Sequence, residues 1–333
     1  MGNNDATMLH DDNAFWVSLP RFATPRWVLP SQPRAVARGA LAVYQPVTFR
    51  GLAGWKLARL VVSAGGFRLL GRPQGPPRPV LEALSGHLRP GETIAVATGN
   101  SARRWVALIL DGAGDATALA KIAAGERGRR ALEREADALV TLARKLAPPL
   151  SAPRLLARSD GLILLEAIHW RARLRPWRLP VEFAAALGRF FRAGAVERDG
   201  EVLGPLHGDL APWNVLQTES GWALVDWEAG DVAPPFYDLF HYLVQGHVLL
   251  GRPSRQTLLA GLGQRNWVGE AIRAYAQASG LSTGDATAQF LSYLGWSAER
   301  QADTAEGVRG RVVRERLMVA AGNVDPMGRR ARP

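Results

Sequence analysis

Three oxygen-bearing side chains at fixed spacing hold most of the chemical potential of this sequence. The run Leu206-His-Gly-Asp-Leu-Ala-Pro-Trp-Asn-Val215 sets Asp209 and Asn214 five positions apart on a loop, and Asp226 follows twelve residues later, after the strand-like Ala223-Leu-Val225. Phosphoryl transfer needs a carboxylate to orient an attacking hydroxyl and accept its proton, and hard oxygen ligands for magnesium on the nucleotide phosphates. Asp209 suits the first task; Asn214 and Asp226 suit the second. Either half alone is also satisfied by an Asx-capped turn or a surface aspartate, and it is the two halves in register that favour the chemical reading.

These residues need elements to position them. Thr93 to Thr98, Trp105 to Leu110 and Ala116 to Ala123 read as strands, with the turn signals Gly99-Asn-Ser and Asp111-Gly-Ala-Gly between them, and so as a three-stranded meander. Arg129 to Leu146 reads as a helix with apolar residues at 132, 139, 142 and 146, ending at Pro148-Pro149, and Leu162-Ile-Leu-Leu165 as a short buried strand. Beyond residue 180 the pattern is helical: Val181 to Ala195, Phe236 to Leu249, Trp267 to Ala278, Ala286 to Leu294 and Val308 to Ala321. Val215-Leu216 and Ala223-Leu-Val225 interrupt it as a hairpin around Thr218-Glu-Ser-Gly221. Before the break at Gly71-Arg-Pro-Gln-Gly-Pro-Pro-Arg-Pro79, the aromatic residues Trp16, Phe22, Trp27, Tyr44, Phe49 and Trp55 predict a packed extension over 13 to 70.

His207-Gly-Asp-Leu-Ala-Pro-Trp-Asn214 with Leu224-Val-Asp-Trp-Glu228 resembles the aminoglycoside phosphotransferase and choline kinase group, relatives of the protein kinases. The resemblance implies an α+β, two-lobed protein kinase-like fold. Its parts are an N-terminal extension over 1–90 ending in the Pro/Gly-rich linker, a small β-rich lobe over 91–168, a larger helical lobe over 169–322 carrying the catalytic loop, and a flexible tail over 323–333. It implies Asp209 as catalytic base, Asn214 and Asp226 as magnesium ligands, and Asp238 as a brace for the catalytic loop, with Gly208 standing where protein kinases carry arginine. His207 is expected as a buried hydrogen-bonding residue, and Glu228 as either an auxiliary metal contact or a loop residue.

A kinase-like fold also needs a strand lysine for the α and β phosphates and a helix glutamate to hold it. Lys121, in Ala118-Leu-Ala-Lys121, is one of only three lysines. Of Glu133 and Glu135, only Glu135 falls in the apolar stripe and faces inward. Lys121 is then its economical partner, with Arg134 or Arg158 as alternatives. In Thr98-Gly-Asn-Ser-Ala102 the backbone at Gly99 and the hydroxyl of Ser101 are expected to cradle phosphate, unless this is an ordinary hairpin turn. By analogy, adenine is placed against the backbone at Glu166 and Ile168.

Composition bounds the rest. At 333 residues, 47% hydrophobic and 21% charged, the chain is an ordinary globular one. No cysteine is present, which excludes disulfides and thiolate chemistry. The N-terminus lacks a basic-then-apolar leader and no apolar run reaches membrane-spanning length, so a cytoplasmic protein without a transmembrane segment is expected. The net charge of +11 is nearly all arginine with no sustained basic run, and is read as a solvated face rather than a nucleic-acid site. The expected activity is magnesium-dependent transfer of the γ-phosphoryl of ATP, or alternatively GTP, to a hydroxyl of a small molecule. A weak resemblance of Trp27-Val-Leu-Pro30 and Tyr44-Gln-Pro46 to phosphotransferase-like proteins of bacterial polysaccharide synthesis implies a sugar or sugar-lipid acceptor. The rivals are a nucleotide-binding scaffold, with the extension as its protein interface, and a protein kinase or nucleotidyltransferase using the same site.

Overall fold

The computed structural model of the chain describes residues 16–20, 24–98, 104–284, 286–300 and 307–322; the expected phosphate turn with Gly99 and Ser101, and the expected tail over 323–333, lie outside them. In chain order the first elements are β1 (Trp16–Leu19), β2 (Trp27–Pro30), α1 (Arg34–Ala40), α2 (Phe49–Ser63), α3 (Phe67–Leu70), β3 (Arg72–Pro73) and α4 (Arg78–Leu84). Next come β4 (Thr93–Thr98), β5 (Arg104–Leu110), β6 (Ala116–Ala123), α5 (Glu126–Thr141), β7 (Leu150–Ser151), β8 (Leu155–Ser159) and β9 (Leu162–Glu166). The remainder are α6 (Val181–Ala193), β10 (Val196–Arg198), β11 (Glu201–Leu206), β12 (Val215–Gln217), β13 (Trp222–Leu224), β14 (Asp231–Ala233), α7 (Tyr237–Leu250), α8 (Arg255–Leu262), α9 (Asn266–Ser279), α10 (Ala286–Arg300) and α11 (Gly307–Gly322). They form two compact units, residues up to Ala136 with Pro153–Ala172, and Asp137–Ala152 with the residues from Arg173 onward.

In the first unit the strands predicted as a three-stranded meander lie within a larger sheet. Eight strands pair in the order β3-β1-β2-β4-β5-β6-β9-β8, every pairing antiparallel. Three of them come from the N-terminal segment, which joins the meander directly where Trp27 and Val28 of β2 pair with Ala97 and Val96 of β4. The period-2 alternation of strand side chains divides the apolar residues between two faces. Ile94, Val96, Ala107, Ile109, Ala120 and Ile122 pack with Val80 and Leu84 of α4. Ala95, Leu108 and Leu110 pack with Val36, Ala37 and Ala40 of α1, Val62 of α2 and Phe67 of α3. Helices α1 to α3 of the N-terminal segment thus cover one face of this sheet.

The second unit is mainly helical. At Gly188 of α6 a Cβ would stand 2.4 Å from the Tyr275 carbonyl of α9, so the two helices touch backbone to backbone. Two small sheets, β10-β11-β14 and β12-β13-β7, hold the loop that precedes β12 and the turn that follows β13. The helix expected to run to Leu146 stops at Thr141, whose hydroxyl bonds back to the Asp137 carbonyl at 2.7 Å; a single 3-10 turn, Ala143–Lys145, completes the path. Helix α8 carries no sequence expectation. Among the described residues no helix is long and apolar enough to cross a membrane.

Candidate active site

In the first unit, Lys121 sits near the end of β6 opposite Val106 of β5 and Ile163 of β9. Its strand position gives it the face of Leu119 rather than that of Ala120 and Ile122. There its ammonium donates to Glu135 Oε1 of α5 at 2.5 Å, with side-chain exposures of 5% and 0%. Arg104 of β5 adds a second cation 4.0 Å from the other oxygen, Oε2. No local pattern points to Arg104 or to this shared carboxylate, because the β5 register that brings them near is a cross-strand property. Glu133 is exposed, as the helical stripe requires. Glu166, by contrast, is tied to Arg154: its amide bonds the Arg154 carbonyl at 2.9 Å, and its carboxylate meets the guanidinium at 3.1 Å. Ile168 lies half-buried just beyond β9.

In the second unit the loop between β11 and β12 is built around a buried carboxylate. Asp238, in the first turn of α7, accepts the His207 amide at 2.7 Å on Oδ2 and the Gly208 amide at 3.1 Å on Oδ1. The helix N-terminus favours this negative charge, while burial pushes the carboxyl above its ordinary value, and His207 and the two amides oppose that rise. Gly208 has φ +84°, and a Cβ there would stand 2.0 Å from the Ala229 carbonyl. Any side chain at this position, including the arginine of protein kinases, has no room.

Asn214 closes the same loop. Its amide nitrogen donates to the Asp209 carbonyl at 2.7 Å and to Asp209 Oδ2 at 3.2 Å. Both partners are oxygens, so the amide orientation is fixed, and Oδ1 of Asn214 takes part in neither bond. The Asn214 carbonyl in turn accepts the Val225 amide at 3.0 Å, joining the loop to the chain that leads into Asp226. A second tie is His207, fully buried, whose Nε2 lies 3.0 Å from the Val225 carbonyl. The geometry requires the Nε2-protonated tautomer, and burial, partly offset by Asp238 and Asp209, lowers the imidazole pKa.

Asp226 itself has φ 72° and ψ 59°, a left-handed conformation uncommon for a non-glycine residue but one that aspartate adopts more readily than most. Trp227 anchors the turn that follows. Its indole is fully buried, donates to the Leu224 carbonyl at 2.9 Å, and packs against the His207 ring at 4.6 Å between centroids. Glu228 follows in the 3-10 turn Trp227–Ala229.

One neighbour of Asp209 is absent from the sequence expectations. His241 of α7, 3% exposed, places Nε2 3.1 Å from Asp209 Oδ1, while Nδ1 lies 3.1 Å from the Tyr293 hydroxyl of α10. An ionised carboxylate only accepts, so Nε2 donates to it; in the neutral imidazole Nδ1 is then the acceptor and Tyr293 the donor. Burial raises the Tyr293 pKa and keeps that proton in place. The available signal was spacing: His241 stands three residues after Asp238, on the same helix face.

Among the described residues no three His, Asp or Glu side chains gather as a metal cage. A hard divalent cation held by Asn214 Oδ1 and Asp226 would therefore need further oxygens from a ligand and from water, the way magnesium is held on nucleotide phosphates. The donor chemistry of the two side chains fits that cation.

Residues 80–278, more than half the chain, match the family model described as the phosphotransferase enzyme family. No protein of curated function matches the sequence. Among solved structures, a putative fructosamine-3-kinase from Thermobifida fusca is similar at 15% identity over 69% of this chain and 93% of that one, with a TM-score of 0.48. A macrolide 2'-phosphotransferase from Brachybacterium faecium shares 16% identity over 74% and 98%, with a TM-score of 0.46. An amicoumacin kinase, solved with AMP-PNP and Ca2+, shares 11% over 76% and 95%, with a TM-score of 0.49.

Proposed function

Because the chain belongs to the phosphotransferase enzyme family, we propose that it transfers the γ-phosphoryl group of ATP to a hydroxyl of a small molecule, with magnesium as the metal. The observation that carries this reading is the Asn214 amide bound to Asp209, which holds a candidate base and a candidate metal ligand in one loop. Asp209 Oδ1 and Oδ2 are the proton acceptors. The acceptor hydroxyl loses its proton to Asp209 as its oxygen bonds to the γ-phosphorus and the bond to ADP breaks. Such a general base contributes roughly 10²- to 10⁴-fold.

Asn214 Oδ1 and Asp226 would hold magnesium, which when bound draws charge from the phosphate oxygens. Lys121, oriented by Glu135, supplies the cation for the α and β phosphates. The backbone at Glu166 and Ile168, and the turn with Gly99 and Ser101, complete the nucleotide site in this reading, with GTP as the alternative donor. A sugar or sugar-lipid hydroxyl is the first acceptor to test.

The experiment compares Asp209→Asn with Asp226→Asn. Asp209→Asn should keep magnesium-dependent ATP binding and lose turnover in a labelled-ATP screen of sugars and sugar-lipids. Asp226→Asn should lose the metal dependence of binding. A wild-type chain that binds no nucleotide in the presence of magnesium, or an Asp226→Asn chain that binds it as the wild type does, overturns the reading.

A further inference from the structure

The charge of this chain is unevenly placed. From residue 13 to residue 81 the sequence carries ten Lys or Arg and no Asp or Glu, almost the whole of the net +11. The imbalance arises from missing acids rather than a basic run, so spacing of the arginines alone does not show it. In the structure five of these cations, Arg34, Arg38, Arg50, Lys56 and Arg59, lie at or beside a second irregular feature, an apolar helix face left in water.

Helix α2 is apolar on two sides. Leu52 and Val62 are buried, and Trp55 is half-buried. Phe49, Ala53 and Leu57, spaced by four, and Leu60 line the opposite side. There Phe49 is 80%, Leu57 60% and Leu60 68% exposed. Lys56 lies on this outward face and Arg50 beside it, both exposed. Arg38 of α1, with Trp55, Lys56, Arg59, Leu60 and Ser63, lines a groove of about 460 Å³ along the helix. The Arg59 guanidinium stacks over the Trp55 ring at 4.7 Å. Burial, and secondly Arg38, lower its pKa, which marks two cations held close together. Arg34 lies against Gly65, just past the end of α2.

We propose that the outward face of α2, with the cationic groove beside it, is a docking surface for an anionic lipid bilayer. Phe49, Leu57 and Leu60 enter the interfacial region, and Arg38, Lys56 and Arg59 meet lipid phosphates. The charge chooses the occupant. A second copy of this face would bring like charges together, and a nucleic acid would leave three large apolar side chains in water. A lipid surface takes both features at once. The proposal goes beyond the phosphotransfer reading and does not depend on it.

The test uses the full chain and vesicles of phosphatidylcholine, with or without phosphatidylglycerol. Co-sedimentation is expected with the anionic vesicles alone and should weaken as salt screens the cations. At about 1 kcal/mol per cation near the surface, each charge removed costs roughly fivefold in partitioning, so Lys56→Glu with Arg59→Glu should cost roughly 25-fold or more. Phe49→Ser, Leu57→Ser and Leu60→Ser together should cost on the order of 100-fold, the equivalent of about half-burying three large apolar side chains. These positions are mostly exposed, so thermal melting of both variants should follow the wild type and exclude misfolding. Failure of the wild type to bind anionic vesicles at low salt overturns the proposal, as does binding that neither variant weakens. Binding to duplex DNA that is lost on charge reversal but indifferent to the serine substitutions, without vesicle binding, reassigns the face to polyanions and overturns it too.

Discussion

His241 Nε2 lies 3.1 Å from Asp209 Oδ1, and the Tyr293 hydroxyl holds the other nitrogen of the same ring at 3.1 Å. A buried imidazole thus fixes the rotamer of the candidate base from behind. His241 is a positioning residue, since it acts through the Asp209 carboxylate.

His241→Ala is expected to lower kcat by about tenfold, the equivalent of one hydrogen bond to a charged group. The KM for nucleotide should hold. His241→Gln, which can still donate to Asp209, should recover part of the rate. A fall in kcat and a rise in nucleotide KM together, or no recovery with glutamine, would mean the residue serves packing alone.

Gly208 gives a purely steric prediction. Its φ of +84°, and the 2.0 Å that would separate a Cβ there from the Ala229 carbonyl, leave alanine nowhere to go without moving the turn after Asp226. Gly208→Ala should lose about 2 to 4 kcal/mol of stability, and Gly208→Arg at least as much. Chemical denaturation of the purified variants checks this. A wild-type midpoint for Gly208→Ala would refute it.

The Lys121 and Glu135 pair separates stability from function. With exposures of 5% and 0%, removing one partner leaves a buried charge, so Lys121→Met should destabilise the protein by about 3 to 5 kcal/mol. Adding Glu135→Leu should restore much of that stability. Nucleotide binding should stay lost in the double variant. Recovery of binding along with stability would remove Lys121 from the nucleotide site.

His207 sets an acid limit on stability. Its folded pKa lies below the ordinary 6.5, so the unfolded chain takes up the proton first. The stability that neutral His207 contributes is fully present above 6.5 and is lost as pH falls below that value. Asp238 carries the opposite sign: its raised folded pKa makes its contribution fade as pH rises through that value. His207→Gln should therefore show a flatter fall in Tm below 6.5 than the wild type. An unchanged acid limb would show that His207 does not titrate differently in the two states.

How much was legible follows from the range of each interaction. The strands Thr93 to Thr98 and Ala116 to Ala123 have the bounds their local pattern predicts, and Glu135 could be chosen over Glu133 because helix periodicity is local. The eight-stranded sheet was not legible. β1 and β2 are four residues each, and the pairing of β2 to β4 is decided by partners about seventy positions away. Likewise α8 is an eight-residue helix with little periodicity to read. Glu166, placed by analogy, turns out to spend its amide and carboxylate on Arg154 across a strand pair.

The sequence by itself determined which atoms are available: Asp209, Asn214 and Asp226 at spacings suited to one chemistry, a lysine on a strand, and a glutamate on the buried stripe of a helix. Residue type and short-range periodicity are written in the chain, so they can be read from it. Only the tertiary structure decided that His241 and Tyr293 stand behind Asp209, that His207 and Trp227 hold the turn at Asp226, and that the N-terminal segment completes a sheet while leaving one helix face in water. Those outcomes depend on side chains meeting across long separations. Burial and backbone closure select them, and no local pattern records that selection.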